Sequence, residues 1–112
     1  MNETIIAVGN GGYNLAADLI APGLFQDARL IVCDTNEKDL EKNSVNGAES
    51  FLLEKLRGKV KSGDTNFVEE IVEKASDSVI ICATLGGMTG SKYAPLIALE
   101  AILKGKFVCS FF

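Results

Sequence analysis

The chain has 112 residues, 47% of them apolar and 23% charged, with a net charge of −4, the composition of one ordinary folded domain with a modest core. No cluster of lysine and arginine is present to neutralise phosphates, so nucleic acid is excluded as the expected partner. No apolar run approaches the ~20 residues of a membrane-spanning helix, and Met1, Asn2 and Glu3 lack the basic flank of a secretory leader; no membrane span and a cytoplasmic location are the expectation.

In chain order, "TIIAV" at residues 4–8 is a short apolar run closed by glycine, the pattern of a strand buried on both faces. Leu15, Ala16, Leu19 and Ile20 then recur at helical spacing over residues 12–21, and Pro22 with Gly23 stops that helix. "ARLIVCD" (28–34) is a second buried strand, followed by a short polar helix or turn over 36–42 with Asn36 as its cap. "SFLLEKL" fits either a short edge strand or a helix, and "RGKVKSGD" (57–64) reads as a loop. Asn66 with Glu69 resembles a capping box opening a helix to about Lys74. "SVIICA" (78–83) is a third buried strand, a long helix follows from about Ser91 to Lys104 with Pro95 in its first turn, and "KFVCSFF" (106–112) is a last strand.

Strands alternate with helices, and the strong strands are apolar throughout. The fold class expected is therefore α/β: a three-layer, Rossmann-like, mostly parallel sheet of four or five strands with helices on both faces. Residues 1–112 form a single domain in this reading. Cys33, Cys82 and Cys109 each lie in a strand-like run and are expected to act as small buried hydrophobes. The chain has no histidine. That excludes most Ser/His and Cys/His nucleophiles and nearly excludes zinc, leaving carboxylates, lysine, backbone amides or an oxygen-held metal for any chemistry.

Two glycine-rich turns link a strand to a helix, "GNGGYN" at 9–14 and "GGMTGS" at 86–91. In a parallel sheet both lie at the carboxyl edge, where ligands bind. Each delivers a helix N-terminus with free amides, and bare glycines let the backbone approach a phosphate. Glycine also serves tight turns and close helix packing, so either turn taken singly is weak evidence. Asp34, twenty positions after Asn14, fits either the acidic residue that holds a ribose in dinucleotide folds or a cap for the next helix. The first turn carries Asn14 where a dinucleotide fingerprint has its third glycine, which counts against a nicotinamide or flavin site.

Together, "VGNGGYN" (8–14), "CDTNEKDL" (33–40), "EKLRG" (54–58) with "KSGDTN" (61–66), "GGMTGSKYAP" (86–95) and "KFVCSFF" (106–112) resemble, in order, the landmarks of the tubulin/FtsZ superfamily, nearest to bacterial FtsZ. The resemblance covers nearly all of this chain and about the first third of a family member. It implies GTP or GDP as ligand, with Mg2+ possible. Gly9, Gly11 and Gly12 would line the phosphates, with Asn10 in the same loop and Asn14 approaching the nucleotide. Gly86, Gly87, Thr89, Gly90 and Ser91, with Met88 among them, would cradle the phosphates from the helix N-terminus. Thr35 and Asn36, after Asp34, would sit near the terminal phosphate. Asn10, Tyr13, Met88 and Lys92 stand where the family has glycine, and a Cβ there can crowd a ligand.

In the family, later segments grip the guanine and promote hydrolysis. The expectation is thus a truncated nucleotide-binding module linked to cell division, with no catalytic or metal-ligating residue assigned and no complete GTPase activity of its own. Its expected partners are a guanine nucleotide and either a second copy or full-length FtsZ. A non-catalytic interaction protein that lost the ligand is the first alternative, and an NAD-type dinucleotide half-domain the second.

Overall fold

The computed structural model describes residues 2–23, 25–44, 47–53, 66–84 and 88–111. Five strands form one sheet: β1 (Thr4–Val8), β2 (Arg29–Asp34), β3 (Glu49–Leu52), β4 (Ser78–Cys82) and β5 (Phe107–Phe111). Four helices connect them: α1 (Gly9–Ile20), α2 (Glu37–Asn43), α3 (Asn66–Lys74) and α4 (Met88–Leu103). The strand order is β3-β2-β1-β4-β5 and every pairing is parallel. The order reverses between β1 and β4, so the strands' carboxyl ends open a crevice there.

The period of two in the central strands sets the two faces. Ile5 and Ala7, with Ile80 and Cys82, pack against Ala16, Leu19 and Ile20 of α1. Ile6 and Val8, with Val79 and Ile81, pack against Val68, Ile71 and Val72 of α3 and Tyr93, Ala94, Ile97 and Ala101 of α4. All five residues of β1 are buried, which explains why its sequence shows no alternation. Asn36 caps α2 as expected, its side-chain oxygen accepting from the amides of Lys38 (2.9 Å) and Asp39 (3.1 Å). Gly105 (φ 78°) ends α4 in a Schellman turn: Gly105 N–H donates to the Ile102 carbonyl and Lys106 N–H to that of Ala101.

Several local expectations change. The start of the ambiguous segment, residues 50–52, takes the first of its two readings and belongs to the edge strand β3, whose Glu49 ion-pairs with Arg29 on the neighbouring strand. The helix α1 begins at Gly9, so the first glycine turn is its opening turn, and α4 begins at Met88, which moves Pro95 from the first turn to deeper in the helix. There its missing N–H removes one helical hydrogen bond. Cys33 and Cys82 are buried, but Cys109 is exposed. It lies on the edge strand β5, opposite Ile80, on the face that α1 covers over β1 and β4. The landmarks at 54–58 and 61–65, together with Gly86 and Gly87, lie outside the described residues.

Candidate functional site

The chain leaves β1 through Gly9, whose φ of +78° is a conformation that costs a side-chain-bearing residue ~1–2 kcal/mol. The next turn of α1 crosses the end of β4 at close range. A Cβ on Gly12 would stand 2.3 Å from the Cys82 carbonyl oxygen, and one on Gly11 would stand 2.3 Å from Thr84 Oγ1. From the other side, a Cβ on Gly90 in the first turn of α4 would lie 3.0 Å from the Thr84 carbonyl oxygen and 3.1 Å from Ala83 Cβ. The two glycine turns therefore converge on one point, the exit of β4. Gly12 and Gly90 let backbone pass backbone, and Gly11 makes room for the Thr84 side chain.

Beside that convergence lies a cavity of about 270 Å3 lined by Val8, Gly9, Asn10, Gly11, Asp34, Thr35, Asn36, Asp39, Thr84 and Gly90. Of the residues expected from sequence, it gathers Gly9, Asn10, Gly11, Asp34, Thr35, Asn36 and Gly90. Gly12 packs on β4 instead, and Asn14 is exposed on α1 outside the lining. Met88, Thr89 and Ser91 belong to the opening of α4, and their side chains are not among the described atoms. Tyr13 packs with the α1-side core and leaves the cavity clear. Three lining residues were missed, Val8, Asp39 and Thr84. Thr84 follows the end of β4 at the carboxyl edge, a position that could have marked it.

Side chains are held in place around this cavity. The Asn43 amide, buried on α2, donates to Asn10 Oδ1 at 3.0 Å. This link ties the first glycine turn to α2. Asp34 is buried at the end of β2, and its Oδ1 accepts from Asn36 N–H at 3.1 Å, so it shapes the turn while Asn36 itself caps the helix. Positive potential comes from the amide ends of α1 and α4; Asp34 and Asp39 add negative charge at the same cavity. Burial, with Asp34 adding, pushes the Cys33 thiol far up, and burial with a smaller push from Cys109 raises Cys82 to about 11. Neither is a nucleophile at neutral pH. Among the described residues no group of three or more Cys, Asp or Glu side chains could hold a metal.

No family model matches the chain. The cell division protein FtsZ of Mycoplasmopsis pulmonis (strain UAB CTIP) is 35% identical over 109 residues, covering 87% of this chain and 27% of that protein. The solved structure of Clostridium botulinum phage c-st TubZ, truncated in its C-terminal tail, superposes with a TM-score of 0.71 at 24% identity, over 96% of this chain and 39% of that one. The TubZ likeness is one of fold. The chain spans about a quarter of the FtsZ relative's length and two-fifths of the TubZ chain's.

Proposed function

Since the chain resembles the tubulin/FtsZ superfamily in sequence and in fold, we propose that it is a nucleotide-binding module whose cavity takes the phosphate chain of GTP or GDP. The observation that carries this reading is the meeting of both glycine turns at one cavity, lined by Gly9, Asn10 and Gly11 on one side and Gly90 on the other. An anion there faces the free amides of two helices at once. Gly86, Gly87, Met88, Thr89 and Ser91 complete the cradle in this proposal, and Thr35 and Asn36 adjoin the far end of the phosphate chain.

The carboxylates of Asp34 and Asp39 border the same cavity and would repel a bare phosphate chain. The lining offers oxygen donors only, which suits a hard divalent cation held partly by phosphate oxygens. Mg2+ would neutralise charge between phosphates and carboxylates; the protein's own part is to hold the amides and oxygens in position. Titration of the chain with a fluorescent guanine nucleotide, with and without Mg2+, tests the reading. Binding that Mg2+ tightens is expected, and no binding of GTP or GDP at millimolar concentration refutes it. Association with FtsZ during division is proposed from the relative's name, and co-sedimentation with polymerised FtsZ tests it: a chain that stays in the supernatant refutes that part alone.

A further inference from the structure

α2 is pinned to the rim of the cavity at both ends. At its start, Asn36 caps the helix and its own N–H donates to Asp34 Oδ1 at 3.1 Å; both residues line the cavity. At its end, Asn43 is 2% exposed, and its Nδ2 donates to Oδ1 of Asn10 at 3.0 Å. Asn10 is itself exposed, in the first turn of α1, and lines the same cavity beside Gly9 and Gly11. It stands where the loops that this turn resembles, those of the tubulin/FtsZ superfamily, have glycine. An asparagine side chain offers an oxygen that accepts and an NH2 group that donates. The contact with Asn43 takes up the oxygen. Among the described residues, the NH2 group of Asn10 has no acceptor.

We infer that the Asn10 side chain is a further ligand of the phosphate chain, donating through Nδ2, and that Asn43 is the residue that positions it; this rests on the reading that the cavity takes nucleotide phosphates. The side-chain amide is planar, with its oxygen and nitrogen on opposite sides of the Cβ–Cγ axis. Fixing Oδ1 against α2 turns both N–H bonds away from α2 and leaves them to the cavity that Asn10 lines. The opposite rotamer would set a carbonyl oxygen beside Asp34 and Asp39, which already border the cavity with negative charge, and would repel phosphate. Asn43 is buried at the end of a helix, so the Asn10 amide is oriented before a ligand arrives and little rotamer freedom is lost on binding. A hydrogen bond to a charged oxygen is roughly twice as strong as one between neutral groups. Asn10 thus adds by its side chain the same kind of donor that the glycines bare on the main chain, and its Cβ carries a ligand where it would otherwise only crowd one.

Titration with a fluorescent guanine nucleotide in the presence of Mg2+ separates this inference from the reading on which it rests. Asn10→Ala keeps the Cβ and removes the amide at an exposed position; affinity should fall about tenfold, whereas relief of crowding would leave it unchanged or raise it. Asn43→Ala leaves the Asn10 amide in place but free to turn, and should cost about threefold. The double variant should bind no worse than Asn10→Ala alone, because Asn43 acts only through Asn10. Inorganic pyrophosphate, competing against the fluorescent nucleotide, should lose affinity for Asn10→Ala in the same proportion, since the lost contact is to phosphate. A wild-type chain that binds no nucleotide at millimolar concentration overturns the phosphate reading and this inference together. A wild-type chain that binds, with Asn10→Ala binding at least as well, overturns this inference alone. So do equal losses from the two single variants, which would make the tie between the helices the useful part and not the nitrogen, and a pyrophosphate affinity that Asn10→Ala leaves unchanged.

Discussion

Replacing Gly12 with alanine adds one methyl group where the first glycine turn meets β4. The new Cβ would stand 2.3 Å from the Cys82 carbonyl oxygen, 3.1 Å from its carbon and 3.3 Å from Ala83 Cα. All three are backbone atoms, two of them from a strand hydrogen-bonded on both sides, so no rotamer change relieves the contact. Recovering an ordinary 3.4 Å separation parts α1 from β4 by about 1.1 Å (3.4 less 2.3). Overpacking of this kind costs ~1–3 kcal/mol, and alanine returns up to ~1 kcal/mol of helix propensity. With a rigid obstacle the cost falls at the upper end, and a net loss of about 2 kcal/mol is expected. A domain of this length has on the order of 6–17 kcal/mol in hand, so the variant folds. In urea, with m ~2 kcal/mol/M, the midpoint should drop by ~1 M. Gly47→Ala is the control, because its φ is +82° but nothing lies within 4 Å; it should lose only ~1 kcal/mol of backbone strain. A Gly12→Ala protein as stable as its parent would refute the close-approach explanation of this glycine.

Gly11→Ala meets the Thr84 side chain instead of backbone, at 2.3 Å from Oγ1, 2.6 Å from Cγ2 and 3.0 Å from Cβ; both branches obstruct the new methyl group, so no rotamer clears it and the residue must shift as a whole. Stability should fall by ~1–3 kcal/mol, and guanine nucleotide affinity about tenfold, a loss of ~1.4 kcal/mol; unchanged affinity in the titration counts against the proposed site. Cys82 has its thiol raised from 9.0 to about 11 by burial and secondarily by Cys109, and burial lifts Cys33 further still. The folded state keeps protons that the unfolded chain releases, so stability is full below pH 9 and declines from there toward pH 11. The slope should be about 1.4 kcal/mol per pH unit for each thiol. Urea midpoints at pH 8, 9.5 and 10.5 measure it, and Cys82→Ala should halve the slope; a flat profile would contradict thiol burial. Asn36→Ala removes the two hydrogen bonds that cap α2 and should cost about 1 kcal/mol, read from the same midpoints, whereas a cost near zero would mean that water replaces the cap freely.

The sequence by itself determined the sheet. Continuous apolar runs such as residues 5–8 and 79–82 are buried on both faces, and only a parallel sheet between helix layers buries them so. Asn36 could likewise be read as a cap, because a cap is a contact with the next three residues. What only the tertiary structure decided are the contacts between positions far apart in the chain. Gly12 and Cys82 are 70 positions apart, so no local pattern tells a glycine bared for a neighbouring carbonyl from one bared for a ligand. Thr84 and Asp39 join the cavity for the same reason, brought there by the reversal of strand order between β1 and β4. Cys109 looked like a core residue because its run is as apolar as the others. It is exposed because α1 covers one face of β1 and β4 and does not extend over the edge strand. Periodicity records what a strand's neighbours must be like; which neighbours arrive, and which face they leave bare, depends on where distant helices cross the sheet.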